Sequence, residues 1–203
     1  MNTKTMVALL TFIGGSLPAA CGKAKREKIQ KEAQTTMELR NKWQGTCRPA
    51  PDLPEQFAIS QWDFGADRGY TQRDMLHSDA NCQTKTFTRT TRGTYELPNN
   101  RNQGTNDIDL MVKDLIITPD SADWVKKMNE GKDCQHTDWQ AGVEQSVTGR
   151  DCPEGKIDRD TRIRDIYDIR DGKLYFGRRA FAVVGPAFDQ RPTSVDTGTS
   201  YSQ

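Results

Sequence analysis

The chain has 203 residues, with 29 Lys and Arg against 28 Asp and Glu and a net charge of +1. That balance removes any bulk electrostatic drive toward nucleic acid. A hydrophobic fraction of 34% and a mean hydropathy of -0.82 leave a thin core of the kind that exported domains reinforce with disulfides.

The N-terminus reads MNTKTMVALLTFIGGSLPAACGKAKREK. Lys4 gives a positive start. Met6 to Leu17 is mostly apolar but shorter than the ~20 residues of a membrane-spanning helix. Small residues Ala19 and Ala20 follow, so residues 1–20 read as a secretory signal peptide cut before Cys21. The run LPAAC resembles the bacterial lipobox, with its Leu one place early and Pro18 in the usual Leu position, and predicts acylation of Cys21. An ordinary signal peptide with an incidental thiol is the alternative. Gly22 rather than Asp after the cysteine favours an outer membrane where two membranes exist. Residues 21–38 read as a lipidated cysteine and a charged tether, helical or flexible. Its GKAKREK run suits anionic headgroups. The expected location is therefore the bacterial cell envelope, with residues 39–203 as one folded domain.

Export makes the other four cysteines readable. Cys47, Cys82, Cys134 and Cys152 form an even set, which in an oxidising compartment reads as two disulfides. Of the three connectivities, Cys47–Cys82 with Cys134–Cys152 closes each loop within one half of the chain. A zinc site is disfavoured, because no C-x-x-C occurs and His77 and His136 lack ligand spacing, although His136 follows Cys134 by two.

The middle of the chain reads as strands. In EQFAISQWDFG, Phe57 and Ile59 share one face, and Trp62 and Phe64 fall on the other unless a bulge intervenes near Ser60 or Gln61. The Thr-rich run CQTKTFTRTTRGTYEL fits a half-exposed strand. TNDIDLMVKDLIITP aligns Ile108, Leu110 and Val112, and the shifted parity of Leu115 and Ile117 predicts a bulge or bend at Asp114. One helix follows in TPDSADWVKKMNEG, with Thr118 as N-cap, Pro119 at the first helical position, Gly131 at the end, and Trp124, Val125 and Met128 packed on the sheet. In TRIRDIYDIRDGKLYFGR, Asp171-Gly172 marks a two-residue hairpin turn. Ile163, Tyr167 and Ile169 face one way on its first strand, as do Leu174 and Phe176 on its second. The closing RPTSVDTGTSYSQ reads as an extended or frayed tail. The fold expected is mainly β with a minor α contribution, an antiparallel, partly open β-barrel with one helix after the middle strands.

Catalytic patterns are weak. His77, Ser78 and Asp79 have triad residue types, but neighbours along a strand point to opposite faces. The carboxylates Asp63, Asp67, Asp107, Asp109, Asp165 and Asp168 are expected as surface partners of nearby cations. The alternating Arg and Asp of RDTRIRDIYDIRDGK fits cross-strand ion pairs. No glycine-rich phosphate loop occurs. These features favour a binding protein without catalytic residues, metal or cofactor over an enzyme.

Six runs carry a resemblance. KWQGTC, SDANC with TFTRTTRGTYEL, KDLIITPDSADWV, DCQHTDWQAGVEQSVTGRDC, IRDIYDIRDGKLYFG and QRPTSVD occur in the order seen in the APCDD (adenomatosis polyposis coli down-regulated) domain. The similarity spans Leu39 to the C-terminus. Its most specific part places Cys134, Trp139, Gly142, Val147, Thr148 and Cys152 in register. The animal members resemble membrane-attached inhibitors of Wnt signalling and carry two copies of the domain; this chain has a single copy and a bacterial-type lipidation signal. The resemblance implies a partly open β-barrel with an apolar interior able to hold an acyl chain, and pairing as a homodimer. Trp43, Phe57, Ile59, Ile108, Leu110, Val112 and Trp139 are the candidate ligand contacts. A packed core built from the same residues, or a structural or adhesion module working through its charged surface, is the alternative.

Overall fold

The computed structural model describes residues 39–50, 53–98, 104–153, 155–178 and 189–203. The predicted signal peptide, Cys21 and the tether to residue 38 lie outside the described residues.

Ten strands form one antiparallel sheet. They are β1 (Lys42–Gly45), β2 (Arg48–Pro49), β3 (Phe57–Phe64), β4 (Gly69–His77), β5 (Lys85–Glu96), β6 (Asn106–Pro119), β7 (Gln145–Ser146), β8 (Arg162–Arg170), β9 (Lys173–Phe176) and β10 (Tyr201–Ser202). The sheet order runs β1-β10-β9-β8-β6-β5-β4-β3, and β1 also pairs with β3, so these strands close into a ring. Closure is confined to one level. β1 meets β3 only at Gln61–Asp63, and β6 meets β8 only at Asn106–Met111. At the other level β3 pairs with β2 at Phe57 and Ala58, β6 pairs with β7 at Ile116 and Ile117, and β2 and β7 are not paired to each other. The ring is thus complete at one end and an open sheet at the other. This is the mainly antiparallel, partly open architecture that the sequence predicts.

Local chemistry explains how the strands turn. Asp171 and Gly172, at φ 52° and 69°, are both left-handed, as a two-residue turn requires, and they set Arg170 opposite Lys173. β6 carries a bulge: Arg92 pairs with Asp114, but Gly93 pairs with Val112, leaving Lys113 over. The bulge lies beside the predicted Asp114. By inserting one residue it returns Leu115 and Ile117 to the interior face used by Ile108, Leu110 and Val112. Gly93 makes this close approach possible, because a Cβ there would collide with the Met111 carbonyl oxygen and come within 2.7 Å of the Tyr70 ring.

Three expectations are corrected. β3 pairs with β4 without interruption, so Phe57 and Ile59 lie on the face opposite Trp62 and Phe64, as the period of two predicts, but that face is not the interior one where the predicted ligand contacts belong. Its buried face is Ala58, Ser60, Trp62 and Phe64, which leaves Phe57 and Ile59 half-buried on the outer face. The helix α1 spans Ala122–Gly131, and its N-cap is Ser121, whose hydroxyl accepts from the Trp124 N–H at 3.2 Å. Thr118 and Pro119 cannot begin it, because they are still paired in β6 to Thr88 and Phe87. The C-terminal segment is not frayed. Arg191 binds back onto β6 and β8, and β10 inserts between β9 and β1.

Candidate functional site

Inward-facing side chains divide into two apolar clusters. At the closed end, Leu39, Trp43, Trp62, Phe64, Tyr70, Tyr95, Ile108, Leu110, Tyr167, Leu174 and Tyr201 are buried together. Seven of these eleven are aromatic. Trp62 stacks 5.7 Å from Phe64 and 4.7 Å from Phe176, and Phe64 meets Tyr95 edge-on at 5.3 Å. At the open end the cluster is mainly aliphatic, with Leu76, Val112, Leu115, Ile117, Val147 and Ile157 beside Phe87, and α1 and the disulfide-bound segment pack onto it through Met128, Cys134 and Trp139. Trp124 of α1 stacks on Phe87 at 5.2 Å.

Between the clusters lies a buried polar layer. Asp74 accepts from the Ser60 hydroxyl at 2.6 Å and from the Gln72 amide at 3.1 Å, and pairs with Arg89 at 3.1 Å. The two charges are enclosed, so each depends on the other for compensation. Arg48 also belongs to this interior. It pairs with Ala58, and directly opposed residues share a face. Its guanidinium donates to the Thr199 hydroxyl at 2.7 Å and to the Tyr201 hydroxyl at 3.2 Å. Burial pushes the Tyr201 phenol up, with Asp74 and Asp165 adding to the effect and Arg48 opposing it. Burial also raises Tyr70, whose hydroxyl has no hydrogen-bond partner.

The predicted contacts separate accordingly. Trp43, Ile108 and Leu110 sit in the aromatic cluster, and Val112 and Trp139 in the aliphatic one. Phe57 and Ile59 belong to neither. Trp43 donates to the Leu39 carbonyl at 3.1 Å. Trp139 is fixed on both sides: its backbone N–H donates to the Asn129 side chain at 2.8 Å, and its indole donates to the Asp133 carbonyl at 3.2 Å.

Both predicted disulfides are present, Cys47–Cys82 and Cys134–Cys152, with Cα separations of 5.9 and 4.0 Å. They fit an oxidising compartment outside the cytosol. Among the described residues no helix is long and apolar enough to cross a membrane.

The catalytic candidates are otherwise engaged. Asp79 accepts from the backbone N–H groups of Asn81, Gln83 and Thr84, which holds its carboxyl below the usual range, while His77 is buried at the end of β4. Asp67 accepts from Gly69 N–H, Asp63 faces Lys42, and Asp168 pairs with Arg170. Asp165 accepts from the backbone N–H groups of Ile166 and Gly177. Asp107 and Asp109 are both bound by Arg191, which also donates to the Ile108 and Asp165 carbonyls. Among the described residues no three His, Cys, Asp or Glu side chains are grouped to hold a metal ion. Sequence reasoning missed Arg48 and Arg191. Neither lies in a periodic segment, and only the ring closure brings them to their partners. No protein-family model matches the chain, and no curated protein matches it.

Proposed function

We propose that this chain is a non-enzymatic, lipid-anchored envelope protein that binds an amphiphile with an acyl chain in the closed end of its ring. The observation that carries this reading is the composition of that end. A core built only for stability favours Leu, Ile, Val, Phe and Ala, which have fixed rotamers and no polar atoms, over Trp and Tyr. Ligand sites instead combine aromatic walls with a few placed polar groups. Here seven buried aromatics meet a layer holding two arginines, Arg48 and Arg89. The ordered resemblance to the APCDD domain supports the same ligand class. The disulfides support export, and the LPAAC run followed by Gly22 supports cleavage after Ala20, acylation of Cys21 and placement in the outer membrane where two membranes exist.

A structural or adhesion module has less support, because Val143 is the one large apolar side chain strongly exposed among the described residues. The test is direct. The full chain is titrated with a brominated twelve-carbon alcohol while its tryptophan fluorescence is followed. Saturable quenching is expected, and its absence, together with no lipid co-purifying by mass spectrometry, rejects the reading. Intact mass of the mature protein reports Cys21 acylation separately.

A further inference from the structure

The interior donors at the seam of the ring outnumber the acceptors there. Arg89 is neutralised by Asp74, but Arg48 has only the hydroxyls of Thr199 and Tyr201, and no carboxylate among the described residues pairs with it. The Tyr201 hydroxyl accepts from Arg48, and among the described residues it donates to no acceptor. Tyr201 is 5% exposed and stays protonated because burial raises its pKa. The Trp62 indole N–H is fully enclosed and lies beside the same hydroxyl, too poorly aligned with it for a well-formed hydrogen bond. Three donors therefore converge where the acceptors are neutral hydroxyls, and one of the donors carries a charge that no carboxylate offsets. Leaving such groups unmet in the interior is costly, and native structures rarely do so without a reason.

The geometry points to a carboxylate-binding site formed by the Arg48 guanidinium, the Tyr201 hydroxyl and the Trp62 indole N–H, which takes the head of a single-chain fatty acid. The guanidinium fork matches a planar carboxylate, and the two remaining donors reach its second oxygen. A phosphate head fits less well. Asp74 and Asp165 both act on Tyr201, and their fields oppose a second negative charge. Both already have partners, Asp74 in Ser60, Gln72 and Arg89 and Asp165 in two backbone N–H groups, and neither pairs with Arg48. Phe176 lies 4.7 Å from Trp62 and 5.8 Å from Tyr201, so the wall beside the donors is apolar and suits the chain.

This inference rests on the acyl-chain reading, and the experiment separates the two. Dodecanoate, dodecanol and dodecyl phosphate are titrated into the full chain by calorimetry, with Arg48→Met and Tyr201→Phe as variants. The expected order is dodecanoate tightest, by about tenfold to a hundredfold over dodecanol, the range of a hydrogen bond to a charged group. Arg48→Met abolishes that preference and leaves dodecanol unchanged. Tyr201→Phe weakens dodecanoate several-fold without touching the backbone. Equal binding of dodecanoate and dodecanol, or tighter binding of the phosphate, overturns the carboxylate site while the acyl-chain reading stands. Binding of none of the three overturns both.

Discussion

The two ends of the ring solve the same problem in different ways. At the closed end, β1 and β10 complete the ladder, and no strand edge is left between β3 and β9. At the open end the two-residue strands β2 and β7 leave the sheet unclosed, and both disulfides lie there. Cys47 adjoins β2, Cys82 lies in the β4–β5 connection, and Cys134 and Cys152 bound the segment that packs under α1. Backbone hydrogen bonds can close a sheet only where strands are long enough to meet. Where they are not, covalent links and a helix fill the gap. The comparison also divides function from stability. The aromatic, donor-rich interior belongs to the end that closes itself, and the stapled end holds a mainly aliphatic core.

The largest expected effect tests closure at the aromatic end. Arg191 is the clasp there, bridging Asp107, Asp109 and two carbonyls from outside the ring. Arg191→Met keeps the stem and removes the charge that faces Asp107 and Asp109, which are only 7% and 8% exposed beneath it. Breaking a buried pair in this way costs about 3–5 kcal/mol. Urea denaturation measures it, and a loss below about 1 kcal/mol would show that the clasp does not hold the closed end.

Disulfide removal sharpens the comparison from the other side. The chain-entropy model gives about 4 kcal/mol for the 35-residue separation of Cys47–Cys82 and about 3 kcal/mol for the 18-residue separation of Cys134–Cys152. Hydrogen exchange on the reduced protein should lose protection first at Lys85–Thr88 and Leu115–Pro119. Protection should persist at β1, β9 and β10. Uniform loss across both ends would erase the distinction.

This division was partly legible in the sequence. The period-two runs, the Asp171-Gly172 turn and the four paired cysteines each signal themselves locally, and the shifted parity around Asp114 foretold a real bulge. Phe57 and Ile59 were misread because apolar residues occur on both faces of β3, and Ser60 rather than a larger apolar side chain occupies the interior position between Ala58 and Trp62. The buried layer of Ser60, Asp74 and Arg89 has no one-dimensional signature, since each looks like a surface residue until its strand neighbours are known. The tail hid its role for a related reason. One buried residue, Tyr201, in a two-residue strand makes no period, yet it joins the ring.

The helix that fills the open end gives a smaller test. Ser121→Ala removes the hydroxyl that caps Trp124 N–H and should cost about 1 kcal/mol. The same substitution should leave ligand binding at the closed end unchanged. Weakened dodecanoate binding by Ser121→Ala in calorimetry would mean that the two ends are coupled.

The smallest effect is a pH dependence belonging to the closed end alone. Burial raises the Tyr70 and Tyr201 phenols above their ordinary value, so in the folded chain both keep their protons where the unfolded chain, near pH 10, gives them up. Above that point the unfolded state binds fewer protons, and stability falls as pH rises. Below it the contribution is fully present. Each phenol should account for somewhat less than about 1 kcal/mol by pH 10.5. Tyr70→Phe removes one of the two contributions. Because the Tyr70 hydroxyl meets no partner, the substitution should change stability little at pH 7 while flattening the alkaline slope. Urea midpoints at pH 7, 9 and 10.5 for both proteins read this difference. An unchanged slope in Tyr70→Phe would mean that the phenol is not enclosed, and with it would go the contrast between a sealed aromatic end and a stapled aliphatic one.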